Sequence, residues 1–140
     1  MISPRQAIFV DTSALVGLIS NRDFLHDRCV SLMTELIDKN AILITSEAVL
    51  FELANEFSRT KFRQLAADFA QQIISNPDFE VVWSTRELFD LAINLYKSRS
   101  DKAWSLTDCV GFVVMQERGI QAAFTSDKHF EQAGFEKLIS

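Results

Sequence analysis

Cysteine, proline and glycine are all scarce in this chain, numbering two, two and four among 140 residues. Cys29 and Cys109 stand apart, without CxxC spacing and among apolar neighbours, so they read as reduced core residues and not as a disulfide or zinc framework. So little glycine and proline leaves no room for a flexible linker, and one domain spanning 1–140 is expected. Long apolar runs are missing too. Residues 112–115 fall far short of the roughly 20 needed to cross a bilayer, and the apolar stretch 7–10 is too short for a secretory signal. A cytoplasmic protein with no membrane association is the expectation. Positive charge is also in deficit, 14 Lys and Arg against 19 Asp and Glu, which speaks against a general nucleic-acid-binding surface. No GxxxxGK loop, GxGxxG turn or GxSxG elbow occurs, which removes three common phosphate-binding and hydrolase signatures.

What is present is a chain with 48% apolar residues, enough to enclose a core, patterned as alternating strands and helices. Apolar runs at 7–10 and 120–124 predict buried strands ending at Asp11 and just before Asp127, 41–44 and 80–83 are further strand candidates, and a terminal strand is expected near 135–139. Between them lie helical periodicities: 14–19; Cys29, Leu32, Met33, Leu36 and Ile37; Val49, Leu50, Leu53, Ala54 and Phe57; 62–74; and Leu88, Leu91, Ala92 and Leu95. A further helix running through Met115 is apolar nearly all round and should be buried. Ser46 reads as an N-cap, Ser84-Thr-Arg-Glu87 and Ser105-Leu-Thr-Asp108 as capping boxes, and Gly119 as a C-terminal cap. Strands alternating with helices imply an α/β fold, a parallel sheet of about five strands covered on both faces.

The chemistry collects at four acids. Asp11 and Asp127 each follow a predicted buried strand directly, and open α/β sheets bind ligands in the crevice at those strand ends. Asp108 sits in the first turn of a helix too apolar to lie at the surface, and Glu52 lies on the helix after the second strand. Carboxylates brought together repel unless a multivalent cation joins them, and oxygen-only ligation favours Mg²⁺ or Mn²⁺. Each acid also has a plain structural reading. Spacing alone equally allows Asp11 as a helix cap, Asp108 as the acid of a capping box and Asp127 as a turn residue. Glu52 alone reads as a solvated helix residue, and Glu56, one turn further on, competes with it for the role. His26 and His129 read as surface residues or supports of a site and not as a catalytic base. Trp83 and Trp104 read as packing residues, with Trp104 a candidate for stacking on a base. Arg59, Lys61 and Arg63 form the densest basic cluster, either solvated or in contact with a nucleic-acid backbone.

Taken together, Phe9-Val-Asp11-Thr-Ser-Ala14, Glu52, Trp104-Ser-Leu-Thr-Asp108-Cys109 and Thr125-Ser-Asp127-Lys-His-Phe130 resemble the PIN-domain family, especially its VapC-type toxins, over essentially the whole chain. The resemblance implies a three-layer α/β/α fold and a metal-dependent endoribonuclease cleaving single-stranded or loop RNA. Asp11, Glu52, Asp108 and Asp127 would be the catalytic and Mg²⁺- or Mn²⁺-binding residues. Thr12, Ser13, Thr107 and Ser126 would be hydroxyls that orient them. It also implies a homodimer and a cognate antitoxin, as in type II toxin-antitoxin pairs. Gly111 stands where closely similar sequences often carry Ser. Two bound divalent ions would bring the formal charge from −5 to about −1, which softens the electrostatic objection. Two other readings compete. One is a catalytically weak PIN scaffold that binds RNA or a protein partner. The other is a phosphoacceptor domain with Asp11 as nucleophile, weakened because Ser13 stands where such proteins usually carry a second Asp.

Overall fold

The computed structural model describes residues 2–140. Five strands form one parallel sheet: β1 (Ala7–Val10), β2 (Ile42–Ser46), β3 (Phe79–Val82), β4 (Ala122–Phe124) and β5 (Glu136–Lys137), in the order β3-β2-β1-β4-β5. Seven helices connect and cover them: α1 (Thr12–Ile19), α2 (His26–Asp38), α3 (Glu47–Glu56), α4 (Arg63–Ser75), α5 (Arg86–Ser98), α6 (Leu106–Arg118) and α7 (Lys128–Gln132). The expected α/β/α architecture is therefore the observed one, and the sheet is wholly parallel. Among the described residues no helix is long and apolar enough to cross a membrane.

The strand order places β1 at the centre, between β2 and β4. From β1 the chain winds outward through β2 and β3, then returns to lay β4 and β5 on the other side. The reversal falls between β1 and β4, and at such a switch point the connections leaving the two strands diverge and open a crevice. Both strands are almost completely buried, with Ile8, Phe9, Val10, Ala123 and Phe124 excluded from solvent. A strand flanked on both sides and covered on both faces has no polar edge to offer, so its polar residues come only where it ends.

Local signals account for most of the helix boundaries. The Ser46 side chain accepts from the Val49 amide and starts α3, as its position predicts. Ser105 and Asp108 complete both halves of the capping box of α6, and Gly119 ends that helix at φ 65°, a left-handed conformation glycine adopts without a Cβ penalty. The α5 cap is a correction. Thr85 and not Ser84 is the N-cap, accepting from the Leu88 amide at 3.0 Å, while the Ser84 amide donates to Glu47 Oε1 at 2.9 Å. A tertiary acceptor thus takes Ser84 out of the helix and moves the cap one residue on.

Helix α6 is buried from Asp108 to Met115, as its all-round apolar sequence predicts. It lies so close to β1 that a Cβ on Gly111 would stand 3.1 Å from the Phe9 ring. A serine there requires Phe9 to give way, so the glycine is a packing choice for this helix. An aromatic chain extends the contact. The Phe130 ring stacks with Phe9 at 6.2 Å and meets Phe112 edge-on at 4.9 Å, and Phe112 meets Trp104 in the same way. Phe130 is fully buried, which pins α7 and the loop before it against β1 and α6. Both cysteines are buried and free.

Candidate metal centre

The chain leaves β1 at Asp11 and leaves β4 at Thr125-Ser126-Asp127, so two acids emerge side by side at the switch point. The register pairs Val10 with Phe124, and the Asp11 amide donates to the Phe124 carbonyl at 3.1 Å, continuing the ladder one step past the strand. Asp11 stands at the N-cap position of α1, yet its side chain makes no capping bond. It turns instead to β4, where the Thr125 hydroxyl donates to Asp11 Oδ2 at 2.8 Å and the Ser13 hydroxyl reaches the same oxygen at 3.3 Å. Ser13 Oγ also lies 3.0 Å from Thr125 Oγ1 and accepts from the Ser126 amide, so it sews the two loops together.

Asp11 is buried, and burial pushes its carboxyl up to about 7. The Thr125 hydroxyl and the Thr12 amide oppose that rise by hydrogen bonding to the charged form, while the negative charges of Asp108 and Asp127 add to it. The same influences show that the three aspartates share one electrostatic environment. Asp108 arrives from α6: its Oδ2 accepts from the Ser105 amide at 3.1 Å, the second half of the capping box. Asp127 caps α7 by accepting from the His129 amide on Oδ1 at 2.9 Å, and its own amide donates to Thr125 Oγ1.

The plain structural readings of Asp108 and Asp127 are thus realised together with their convergence. A helix cap fixes a carboxylate at a helix N-terminus, where the dipole favours negative charge, and that leaves it poised at the crevice. Two residues join the cluster besides the acids: Thr125, which spacing does not single out, and His129, which reads from sequence as a surface residue or a support of a site. Thr125 is buried and touches both Asp11 and the Asp127 amide; its only sequence signal was its place between the strand and Ser-Asp. His129 Nδ1 lies 2.9 Å from Asp108 Oδ2 and 3.3 Å from Asp127 Oδ1, and the ligand atoms of these three residues all fall within 4.8 Å of one another. Its spacing two residues after a strand-end acid could have flagged it.

The other expected residues divide. Of the four hydroxyls expected to orient the acids, Ser13 bonds to Asp11, and Ser126 is tied in through its amide. Among the described residues, Thr107 shows no hydrogen bond to a site acid, and Thr12 Oγ1 is a buried hydroxyl without a partner beside Asp11. Glu52 is half-buried on α3, whereas Glu56 is exposed, and no hydrogen bond or ion pair joins either to the three aspartates. Arg63 reaches the Ser58 carbonyl at 2.7 Å and Lys61 lies over the Phe62 ring, so the basic cluster is exposed on the turn after α3 and on the first residue of α4. Trp104 is buried, donates to Gln132 Oε1 and is covered by the Arg99 guanidinium, a packing role with no free face for a base.

A hard divalent cation fits this donor set. The carboxylates of Asp108 and Asp127 cluster with the His129 imidazole, Asp11 is near enough for both charges to disfavour its ionised form beyond the effect of burial, and a cation relieves both effects. The hydrogen bonds and ion pairs found at Asp108 and Asp127 fall on Asp108 Oδ2 and Asp127 Oδ1, which leaves the second oxygen of each without a protein donor among the described residues.

Strand order and the placement of the acids together define a doubly wound α/β protein with an acidic centre beside the switch point of its sheet. The sequence profile of the PIN domain matches residues 8–136, and the chain belongs to the PIN domain family. It is 30% identical over 128 residues to the 23S rRNA-specific endonuclease VapC20 of Mycobacterium tuberculosis, covering 91% of this chain and 95% of that protein. The crystal structure of that protein, described as a sarcin-ricin loop cleaving toxin, superposes with a TM-score of 0.84 at 28% identity, over 94% of this chain and 98% of the other. VapBC2 from Rickettsia felis, bound to a promoter DNA fragment, shares the fold with a TM-score of 0.68 at 16% identity, over 94% and 97% of the two chains.

Proposed function

We propose that this chain, acting as one domain in the cytoplasm, is a VapC-type endoribonuclease that uses Mg²⁺ or Mn²⁺ to hydrolyse phosphodiester bonds in looped RNA. The observation that carries the reading is the clustering of Asp108 and Asp127, with Asp11 close enough to feel their charges, beside the β1–β4 switch point, in a chain that matches VapC20 over nearly its whole length. Asp11, Asp108 and Asp127 would hold the cation, and Glu52 would complete the set from α3. When bound, a divalent cation lowers the pKa of a coordinated water and offsets charge on the scissile phosphate.

The remaining work belongs to this chain's own side chains. Thr125 and Ser13 donate to Asp11 Oδ2, favour its ionised form and fix its orientation. The capping bonds of Asp108 and Asp127 tie those carboxylates to the N-termini of α6 and α7, which fixes their orientation. Arg59, Lys61 and Arg63 supply positive charge on the turn beyond α3 and at the first residue of α4, suited to contacts with the RNA backbone outside the acidic crevice. Ribosomal RNA is the first substrate to try, because the similar VapC20 carries that specificity in its name. The toxin description of the same relative supports a cognate antitoxin as partner, and a homodimer is proposed with it from the family resemblance alone.

The test is cleavage of a looped 23S rRNA fragment by the wild type, Asp11→Asn and Asp108→Asn, with Mg²⁺, with Mn²⁺ and with chelator. Metal-dependent cleavage by the wild type alone is expected. Equal rates in all three proteins would sink the reading, and RNA binding without cleavage would favour the inactive scaffold.

A further inference from the structure

The His129 imidazole reaches the carboxylates of two aspartates of the site, Asp108 and Asp127. Its Nδ1 lies 2.9 Å from Asp108 Oδ2 and 3.3 Å from Asp127 Oδ1, and its backbone amide donates to that same Asp127 oxygen at 2.9 Å. Asp108 comes from α6 and Asp127 from the loop after β4, so the imidazole joins carboxylates carried by two different elements. An imidazole nitrogen this close to a carboxylate oxygen carries its hydrogen there, which makes Nδ1 the donor.

The pattern of occupied oxygens gives this contact a direction. Asp108 Oδ2 receives both the Ser105 amide and His129 Nδ1, and Asp127 Oδ1 receives the His129 amide. Donors therefore gather on one oxygen of each acid and leave Asp108 Oδ1 and Asp127 Oδ2 for another ligand. A carboxylate held by one oxygen presents the other in a fixed direction, and such outer contacts tune metal sites strongly. Phe130, fully buried against Phe9 and Phe112, anchors the first turn of α7 and so keeps the imidazole in place.

We infer that His129 is a positioning residue of the metal centre, donating from Nδ1 to orient Asp108 and Asp127 without itself binding the cation. The inference rests on the proposed metal-dependent function and adds to it a residue outside the acidic set. It predicts a distinction between two amides of similar polarity. Asparagine places an N–H near the position of Nδ1, whereas glutamine places it near that of Nε2 and removes the donor from the acids.

The experiment is Mn²⁺ binding to the full chain, followed by electron paramagnetic resonance, for the wild type, His129→Asn, His129→Gln and His129→Phe. Circular dichroism and thermal unfolding in chelator establish that each variant is folded, and the paired amides keep the comparison meaningful should the phenylalanine variant not be. The expected result is near-wild-type affinity for His129→Asn and a loss on the order of 10–100-fold for His129→Gln and His129→Phe. Wild-type affinity in the glutamine variant overturns the inference while leaving the metal centre standing. A nitrogen coupling from imidazole on the bound Mn²⁺ also overturns it, by making His129 a ligand. Absence of Mn²⁺ binding in the wild type removes the metal reading itself, and this inference with it.

Discussion

The Thr125 hydroxyl donates to Asp11 Oδ2 at 2.8 Å, across the seam between β1 and β4 where the winding order of the parallel sheet reverses. The same hydroxyl accepts from the Asp127 amide at 3.0 Å, so one buried oxygen sets the relative placement of two site acids 116 positions apart in sequence. Thr125→Val keeps the shape and removes both bonds together with the 3.0 Å contact to Ser13 Oγ. It should lower stability by about 1–3 kcal/mol, the cost of leaving buried polar groups unpaired. Cleavage should fall by roughly 10–100-fold, as when an orienting contact at a metal site is removed. Urea unfolding and single-turnover RNA cleavage check the two effects separately, and unchanged cleavage would remove Thr125 from the machinery.

Asp11 carries a pH signature. Its carboxyl titrates near 7 in the folded protein and near 3.8 in its ordinary state, so between those values the native state keeps a proton that the unfolded chain has released. Stability contributed by this group is therefore full below about 3.8 and is lost as pH rises to about 7. For metal-free protein the melting temperature should decline across that window, and Asp11→Asn should flatten the decline. A divalent cation bound only by the native state should restore stability at pH 8 in the wild type and not in the variant. Melting curves in chelator and in Mn²⁺ at several pH values measure this, and identical profiles for the two proteins would contradict it.

Ser105 tests whether a helix cap also serves the site. Ser105→Ala removes the bond to the Asp108 amide at 3.0 Å and should cost about 1 kcal/mol of stability, the usual loss for such a cap. Because the Ser105 amide still donates to Asp108 Oδ2, cleavage should fall by less than in Thr125→Val. A larger loss in cleavage than in Thr125→Val would show that the side-chain cap, and not the amide, orients Asp108.

Glu52 and Glu56 are separated by direct comparison. Glu52 is the more enclosed of the two, and the proposed function assigns it to the acidic set. Glu52→Gln should reduce cleavage at least 10-fold and weaken Mn²⁺ binding, in the range seen for altered metal sites, while Glu56→Gln leaves both near the wild type. The reverse outcome would transfer the role to Glu56.

The secondary structure was largely legible because its signals are local. A buried parallel strand announces itself as an apolar run, and the caps at Ser46, Ser105 and Gly119 act on amides and carbonyls within a turn of themselves. Where a distant group intervened, the reading slipped by one residue, as at Ser84, whose amide is claimed by Glu47 from another helix. Acids at strand ends were legible for a related reason: a strand buried on both faces cannot carry a charge until it leaves the sheet.

By itself the sequence determined the class of fold, the family, and the placing of Asp11, Asp108 and Asp127 at element ends. Only the tertiary structure decided what those acids touch. That Asp11 turns from capping α1 to Thr125, and that His129 reaches Asp108, depend on strand order and on the packing of Phe130 against Phe9 and Phe112. Residues more than a hundred positions apart meet because β4 pairs with β1 and not with its sequence neighbour β3. Local patterns carry no record of that pairing, since the preference of an apolar run for burial is the same whichever strand lies beside it.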